Sequence, residues 1–158
     1  MKIRKAQEKD IDRINELLYQ VCMIHHRGRP DLFRAGARKY SGQQLVGILH
    51  DEKTPVFAAV DDDDRLMGYA FCMFRETCGD NILQDVRTLY IDDLCVDESL
   101  RGKGIGKALY RAVREFALEH GCYNLTLNVW SCNTAARAFY ERCGFVPQKT
   151  VMEEKLRG

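Results

Sequence analysis

Net charge is almost absent from this sequence: 24 Lys and Arg face 23 Asp and Glu, leaving +1 over 158 residues. A whole-surface nucleic-acid binder needs a strong basic excess, so that class is excluded, while a local basic site is not. No C-x-x-C pair occurs among the seven cysteines (22, 72, 78, 95, 122, 132, 143), and their number is odd. Metal-site spacings and a disulfide framework are therefore both unsupported, and the histidines at 25, 26, 50 and 120 add no metal-type spacing. Most of the cysteines sit in apolar runs, where a free thiol acts as a small hydrophobe, and a reducing cytoplasm is the expected compartment. The opening Met1-Lys2-Ile3-Arg4-Lys5 has no apolar leader segment. No apolar run approaches the roughly 18 residues of a membrane helix. There is no repeat, no low-complexity linker and no composition break, so residues 1–158 are read as one domain.

What is present is an ordinary globular balance, 46% apolar and 30% charged. A chain of this size buries roughly 70% of its extended surface, enough for a core without staples. The patterning predicts a short strand at 2–5 and a helix from Glu8 to about His25, with Ile11, Ile14, Leu18, Val21 and Cys22 on one stripe. A basic loop follows (27–40), then a short helix at 42–50. Strands at 56–60 and 66–74 make a hairpin whose tip, Asp61–Asp64, reads as a solvated turn. A polar connection at 75–86 leads to a strand at 87–96, whose apolar members are Leu89, Ile91, Leu94 and Val96. An amphipathic helix runs from Ile105 to Gly121. A strand spans 123–129, a helix capped by Asn133 spans 134–143, and a last strand runs through 145–156. The expected class is mixed α/β (α+β), with a partly parallel, partly antiparallel sheet.

The chemistry begins at Arg101-Gly102-Lys103-Gly104-Ile105-Gly106-Lys107. A glycine-rich turn between a strand and a helix bends tightly and gathers N–H groups at a helix N-terminus, where the macrodipole favours anions. Five basic residues and no acid lie between Arg101 and Arg114. The dinucleotide pattern G-x-G-x-x-G fails, because Lys107 stands where the third Gly belongs. The P-loop pattern fails at Arg101 and at Ala108. R-x-x-G-x-G, at Arg101, Gly104 and Gly106, fits.

With its upstream strand, the stretch Leu94–Leu109 resembles the acetyl-CoA-binding motif of the GNAT N-acetyltransferases. Asn128–Asn133 and Ala138–Phe145 resemble that family's second motif, so residues 87–147 are closely covered. The resemblance implies a mostly antiparallel central sheet flanked by helices, with two central parallel strands splayed to admit CoA. It implies acetyl-CoA as co-substrate, with no metal. The pyrophosphate would lie on Arg101, Gly102, Lys103, Gly104, Ile105, Gly106 and Lys107, and the pantetheine arm on the main chain of Leu94, Cys95 and Val96. Asn133 would reach the cofactor or serve as a cap alone.

The same resemblance makes Tyr140 the donor of a proton to the departing thiolate. A thiol titrates near about 8.5 and a phenol near about 10, so the phenol holds its proton at neutral pH. A carboxylate would serve as general base to the acceptor amine, and Asp92 and Asp93 are the candidates, being acids in mid-strand. Strand alternation sets one toward the cleft and the other toward the far face. The implied partner is an amine acceptor, either a small or polyamine-like amine or a protein or peptide amine, and not nucleic acid or a membrane. A homodimer is left open. Acceptor contacts are expected from 17–40 and 69–93, with Phe33, Tyr40, Tyr69 and Phe71 as walls and the basic loop unassigned. The competing reading is a CoA-binding regulatory domain without turnover.

Overall fold

The computed structural model describes all of residues 1–158. Five strands, β1 (Lys2–Lys5), β2 (Val56–Val60), β3 (Leu66–Thr77), β4 (Val86–Val96) and β5 (Asn124–Leu127), form one sheet in chain order. The first three neighbouring pairs are antiparallel, and β4–β5 is parallel. Helices α1 (Ile11–Gly28) and α2 (Gly42–His50) cover one face, and α3 (Ile105–Glu119) covers the other. The parallel pair is reached through α3, which satisfies the crossover that parallel strands require.

Each layer follows from local pattern. Ile14, Leu17 and Leu18 of α1 and Leu45 of α2 are buried against Tyr69 and Phe71 of β3. Ile105, Leu109, Val113 and Ala117 recur at helical spacing and bury one stripe of α3 against Phe57, Ala70, Leu89 and Ile91. Ser41 caps α2 by accepting from the Gln44 N–H at 3.2 Å, and the Gln44 side chain returns a bond to the Ser41 N–H. Asn133 caps α4 (Thr134–Arg142) in the same way, through the Ala136 N–H at 3.2 Å.

Two predicted elements change. β3 runs on to Thr77, so the connection to β4 is shorter than the polar composition suggested. The strand predicted at 145–156 does not form. Residues 145–158 have no regular structure, and Val146 to Gly158 are exposed. Pro147 lacks a ladder donor. The charges of Glu153 and Lys155 are drawn away from the sheet, to Arg29 (2.9 Å) and Asp31 (3.1 Å) at the end of α1.

Candidate active site where two strands part

The β4–β5 ladder ends at Ile91 opposite Leu127. Beyond it β4 continues for five residues, Asp92 to Val96, paired only with β3. A sheet interior thus becomes an edge in mid-strand, and the main-chain groups of Leu94 and Val96, which alternate away from β3, face the opening. This is the splay expected of the two parallel strands.

The β3–β4 register slips at the same place. Phe71 lies opposite Asp93, whereas the next residue, Cys72, lies opposite Ile91, leaving Asp92 as the extra residue of a bulge. The slip corrects the alternation argument. Asp92 and Asp93 do not face opposite sides; both lie on the α1–α2 face. Tyr40 donates to Asp92 Oδ2 at 2.6 Å, and Tyr69 donates to Asp93 Oδ2 at 2.8 Å. Both tyrosine rings rest on Phe71.

The two carboxylates differ in what holds them. Asp92 is also bound by Lys39, whose Nζ lies 2.7 Å from Oδ2 and 3.4 Å from the Asp92 carbonyl oxygen. Its charge is already matched. Asp93 has no basic partner. Burial, only partly offset by the Tyr69 hydrogen bond, pushes its carboxyl up to about 6. Tyr140, on α4, is near enough for the charge of Asp93 to act on it. Its phenol is held well above its ordinary value, first by burial and then by the charge of Asp93. Cys95 is buried, its thiol pushed up to about 12 by desolvation, so its side chain is packing and not a nucleophile.

At the far end of the opening stands the glycine turn. Gly102 and Gly104 have φ of +79° and +80°, conformations that side chains rarely adopt, and a Cβ at either would meet open space. Gly104 is the N-cap of the 15-residue α3, so the first N–H groups of that helix point out of the turn. Gly106 has a different use. A Cβ there would sit 3.4 Å from the Phe139 ring, so this glycine lets α4 pack close to α3. Ile105 turns its side chain into the core, leaving only its main chain toward the turn. Asn133 spends its Oδ1 on its own helix. Tyr110 Oη donates to the Cys143 carbonyl at 3.0 Å and ties the end of α4 to α3. Phe139 and Tyr140 take different neighbours, Phe139 packing on Gly106 and Tyr140 on Phe145.

The segment between α1 and α2 closes the other side. His25, Phe33 and Trp130 form a chain of ring contacts at 5.0 and 5.1 Å, and the His26 Nδ1 is 2.7 Å from the Phe33 carbonyl. The same segment carries the exposed Arg34 and Arg38, and Arg75 of β3 stacks 3.5 Å over the Tyr90 ring. Asn128 donates to Tyr90 Oη at 3.2 Å. Tyr40 and Tyr69 were named from sequence as walls, but their bonds to the two carboxylates were not. Lys39, Arg75, Tyr90, Asn128 and Trp130 went unassigned. One signal for the bulge was legible: Ile91 and Leu94 are three residues apart where strand alternation requires two.

Residues 18–145 match the family model described as the acetyltransferase (GNAT) family. The chain is 38% identical over 144 residues to bovine thialysine N-epsilon-acetyltransferase, covering 90% of this chain and 82% of that protein. It is 38% identical over 63 residues to a probable rice glucosamine 6-phosphate N-acetyltransferase, but that match covers only 40% of this chain and 36% of the rice protein. Among solved structures, a variant of the BH1408 protein from Bacillus halodurans superposes with a TM-score of 0.96 at 32% identity, covering 99% of this chain and all of that one. The chain spans well under two thirds of the length of several of the curated relatives it matches. It belongs to the GNAT family of acetyltransferases.

Proposed function

We propose that this protein transfers the acetyl group of acetyl-CoA to the primary amine of a small acceptor that also carries an anionic group. The observation that carries the first half is the parting of β4 from β5 at Asp92, with an anion-seeking turn at one end and Asp93 with Tyr140 at the other. The residues present fit CoA. Alternate main-chain groups, those of Leu94 and Val96, point away from β3 and suit the amides of a pantetheine arm, with the Val96 carbonyl now accepting from Arg101 Nε at 3.3 Å. The open, positively bent Gly102–Gly104 turn, flanked by Arg101, Lys103 and Lys107, suits a pyrophosphate.

When bound, acetyl-CoA supplies an activated acyl carbon with a thiolate leaving group. The chain's own residues do the rest. Leu94 to Val96 and the turn fix the position of the thioester by main-chain bonds. An alkylammonium titrates near about 10, so the acceptor must lose a proton to attack, and its nitrogen becomes strongly acidic as the new bond forms. Asp93, ionised above pH of about 6 and free of any basic partner, accepts that proton directly or through one water. Tyr140, which burial keeps protonated, donates to the sulfur as it departs. Phe33 and Trp130, in edge contact at 5.1 Å, would flank the acceptor on the side of the α1–α2 segment.

The acceptor's anionic group is inferred from the cleft's charge. Asp92 is matched by Lys39, so it has no spare charge for a second ammonium, while the segment that brings Lys39 there also carries Arg34 and Arg38, and Arg75 stacks on Tyr90 of β4. This favours an amine bearing a phosphate or carboxylate over a polyamine. The acceptors named for the rice and bovine relatives, glucosamine 6-phosphate and thialysine, each pair an amine with an acid. A thiol-release screen with acetyl-CoA tests the reading, using amino-sugar phosphates, amino acids and polyamines. Turnover is expected with anion-bearing amines. A preference for spermidine overturns the acceptor class. CoA binding without turnover of any amine supports a regulatory domain, and no CoA binding overturns the whole.

A further inference from the structure

Lys39 has an unusual position for a loop lysine. It reaches 53 positions along the chain to Asp92, the first residue of β4 beyond the end of the β4–β5 ladder. Its Nζ is held there by two oxygens of one residue, the carboxylate and the main-chain carbonyl of Asp92. Its neighbour Tyr40 bonds the same carboxylate oxygen and stacks on Phe71. The backbone carrying Lys39 is therefore anchored, and the amine, although its side chain is partly open to solvent, is held to one position by Asp92. Its charge acts on Asp93 and on His25 as well. A primary amine thus stands at the head of the opening, on the matched carboxylate and near enough for its charge to act on the unmatched one. The other lysines near the cleft have no such anchor: Lys103 in the turn and Lys107 in the first turn of α3 lie at its far end.

We propose that Lys39 is an internal acceptor: the protein acetylates its own Lys39 side chain, and this anchored amine is a modification site. The inference rests on the acetyl-transfer reading above. The Lys39 nitrogen, having shed its ammonium proton, bonds to the acetyl carbon as the carbon–sulfur bond breaks. Two protons leave the nitrogen in all. One ends on the thiol by way of Tyr140, and the other passes through Asp93 to solvent. The products are an N-acetyl-lysine amide, free CoA thiol and one proton. The amide is neutral, so the ion pair to Asp92 is lost. Asp92 then keeps Tyr40 as its partner and gains a free charge toward the cleft.

Intramolecular transfer makes two demands that background acetylation does not. Its rate per molecule is independent of protein concentration, and it depends on the proton donor. The test incubates the full chain with acetyl-CoA at several protein concentrations and follows each lysine by peptide mass spectrometry. Lys39 is expected to be modified first, ahead of the exposed Lys2, Lys53 and Lys103, at a concentration-independent rate. That rate should fall at least about tenfold in Tyr140→Phe. Calorimetric titration with CoA is run beside it on the wild type and on Lys39→Arg, which keeps the cation but cannot take the mark. CoA binding by both proteins, with Lys39 modified as described, supports the proposal. A Lys39 rate equal to that of Lys53, a rate rising with protein concentration, or one unchanged in Tyr140→Phe overturns it while leaving CoA binding intact. Failure of the wild type to bind CoA overturns the acetyl-transfer reading itself.

Discussion

The two halves of β4 obey different rules. From Thr88 to Ile91 the strand is paired on both sides, and Leu89 and Ile91 are buried under α3. From Asp92 to Val96 it is paired on one side only, its register is displaced by a bulge, and it carries two adjacent carboxylates. The first half is core. The second half is an edge placed inside the sheet, with its main-chain groups left for a ligand and its acids turned to one face. A strand need only stop pairing, and slip by one residue, to change from scaffold to candidate site.

The sharpest way to break the comparison is to exchange the kinds of damage each half sustains. Leu89→Ala removes a fully buried side chain from the first half and is expected to cost about 2–5 kcal/mol of stability in chemical denaturation. The activity of the folded fraction should stay near that of the wild type. Asp93→Asn should do the reverse, lowering kcat by about a hundredfold or more with little loss of fold. Asp93 also predicts a pH signature. Its folded-state carboxyl, at about 6, lies above the ordinary 3.8. Between those values the folded protein holds a proton that the unfolded chain has released, so stability falls as pH rises through that window. Activity should rise as pH passes about 6, because the base must be ionised. Asp93→Asn should remove both trends, and a wild-type profile flat between pH 5 and about 7 would take Asp93 out of the mechanism.

Smaller effects follow. Tyr140→Phe should lower kcat by at least about tenfold while leaving CoA affinity nearly intact, as read by steady-state kinetics and calorimetry. Unchanged turnover would leave Tyr140 a packing residue against Phe145. Asn133→Ala should cost about 1 kcal/mol in thermal or chemical unfolding through the lost cap of α4. A loss of CoA affinity larger than that of stability would show that Asn133 also reaches the cofactor.

Most of the fold was legible because its elements carry local signals. Ile105, Leu109, Val113 and Ala117 announce α3 by spacing alone, and Ser41 and Asn133 mark helix starts by their own hydrogen bonds. The glycine turn was legible because positive φ is a local demand that glycine meets. The tail misled. Its apolar residues suggested a strand, but a strand exists only where a partner edge accepts it, and residues 145–158 instead give their charges to Arg29 and Asp31. The acid pair misled for the opposite reason: alternation is a rule of regular strands, and a one-residue bulge cancels it.

The sequence by itself determined the layered α/β class, the turn with its basic surround, the family resemblance and the roster of chemically able residues. These rest on periodicity, backbone chirality and residue chemistry, which act over a few positions. Only the tertiary structure decided that Asp92 and Asp93 share a face. It also decided that Lys39 and Tyr40 match one of them while the other is left to titrate near 6. Those outcomes depend on desolvation and on partners up to 53 positions away, and both are set by packing that no local pattern encodes.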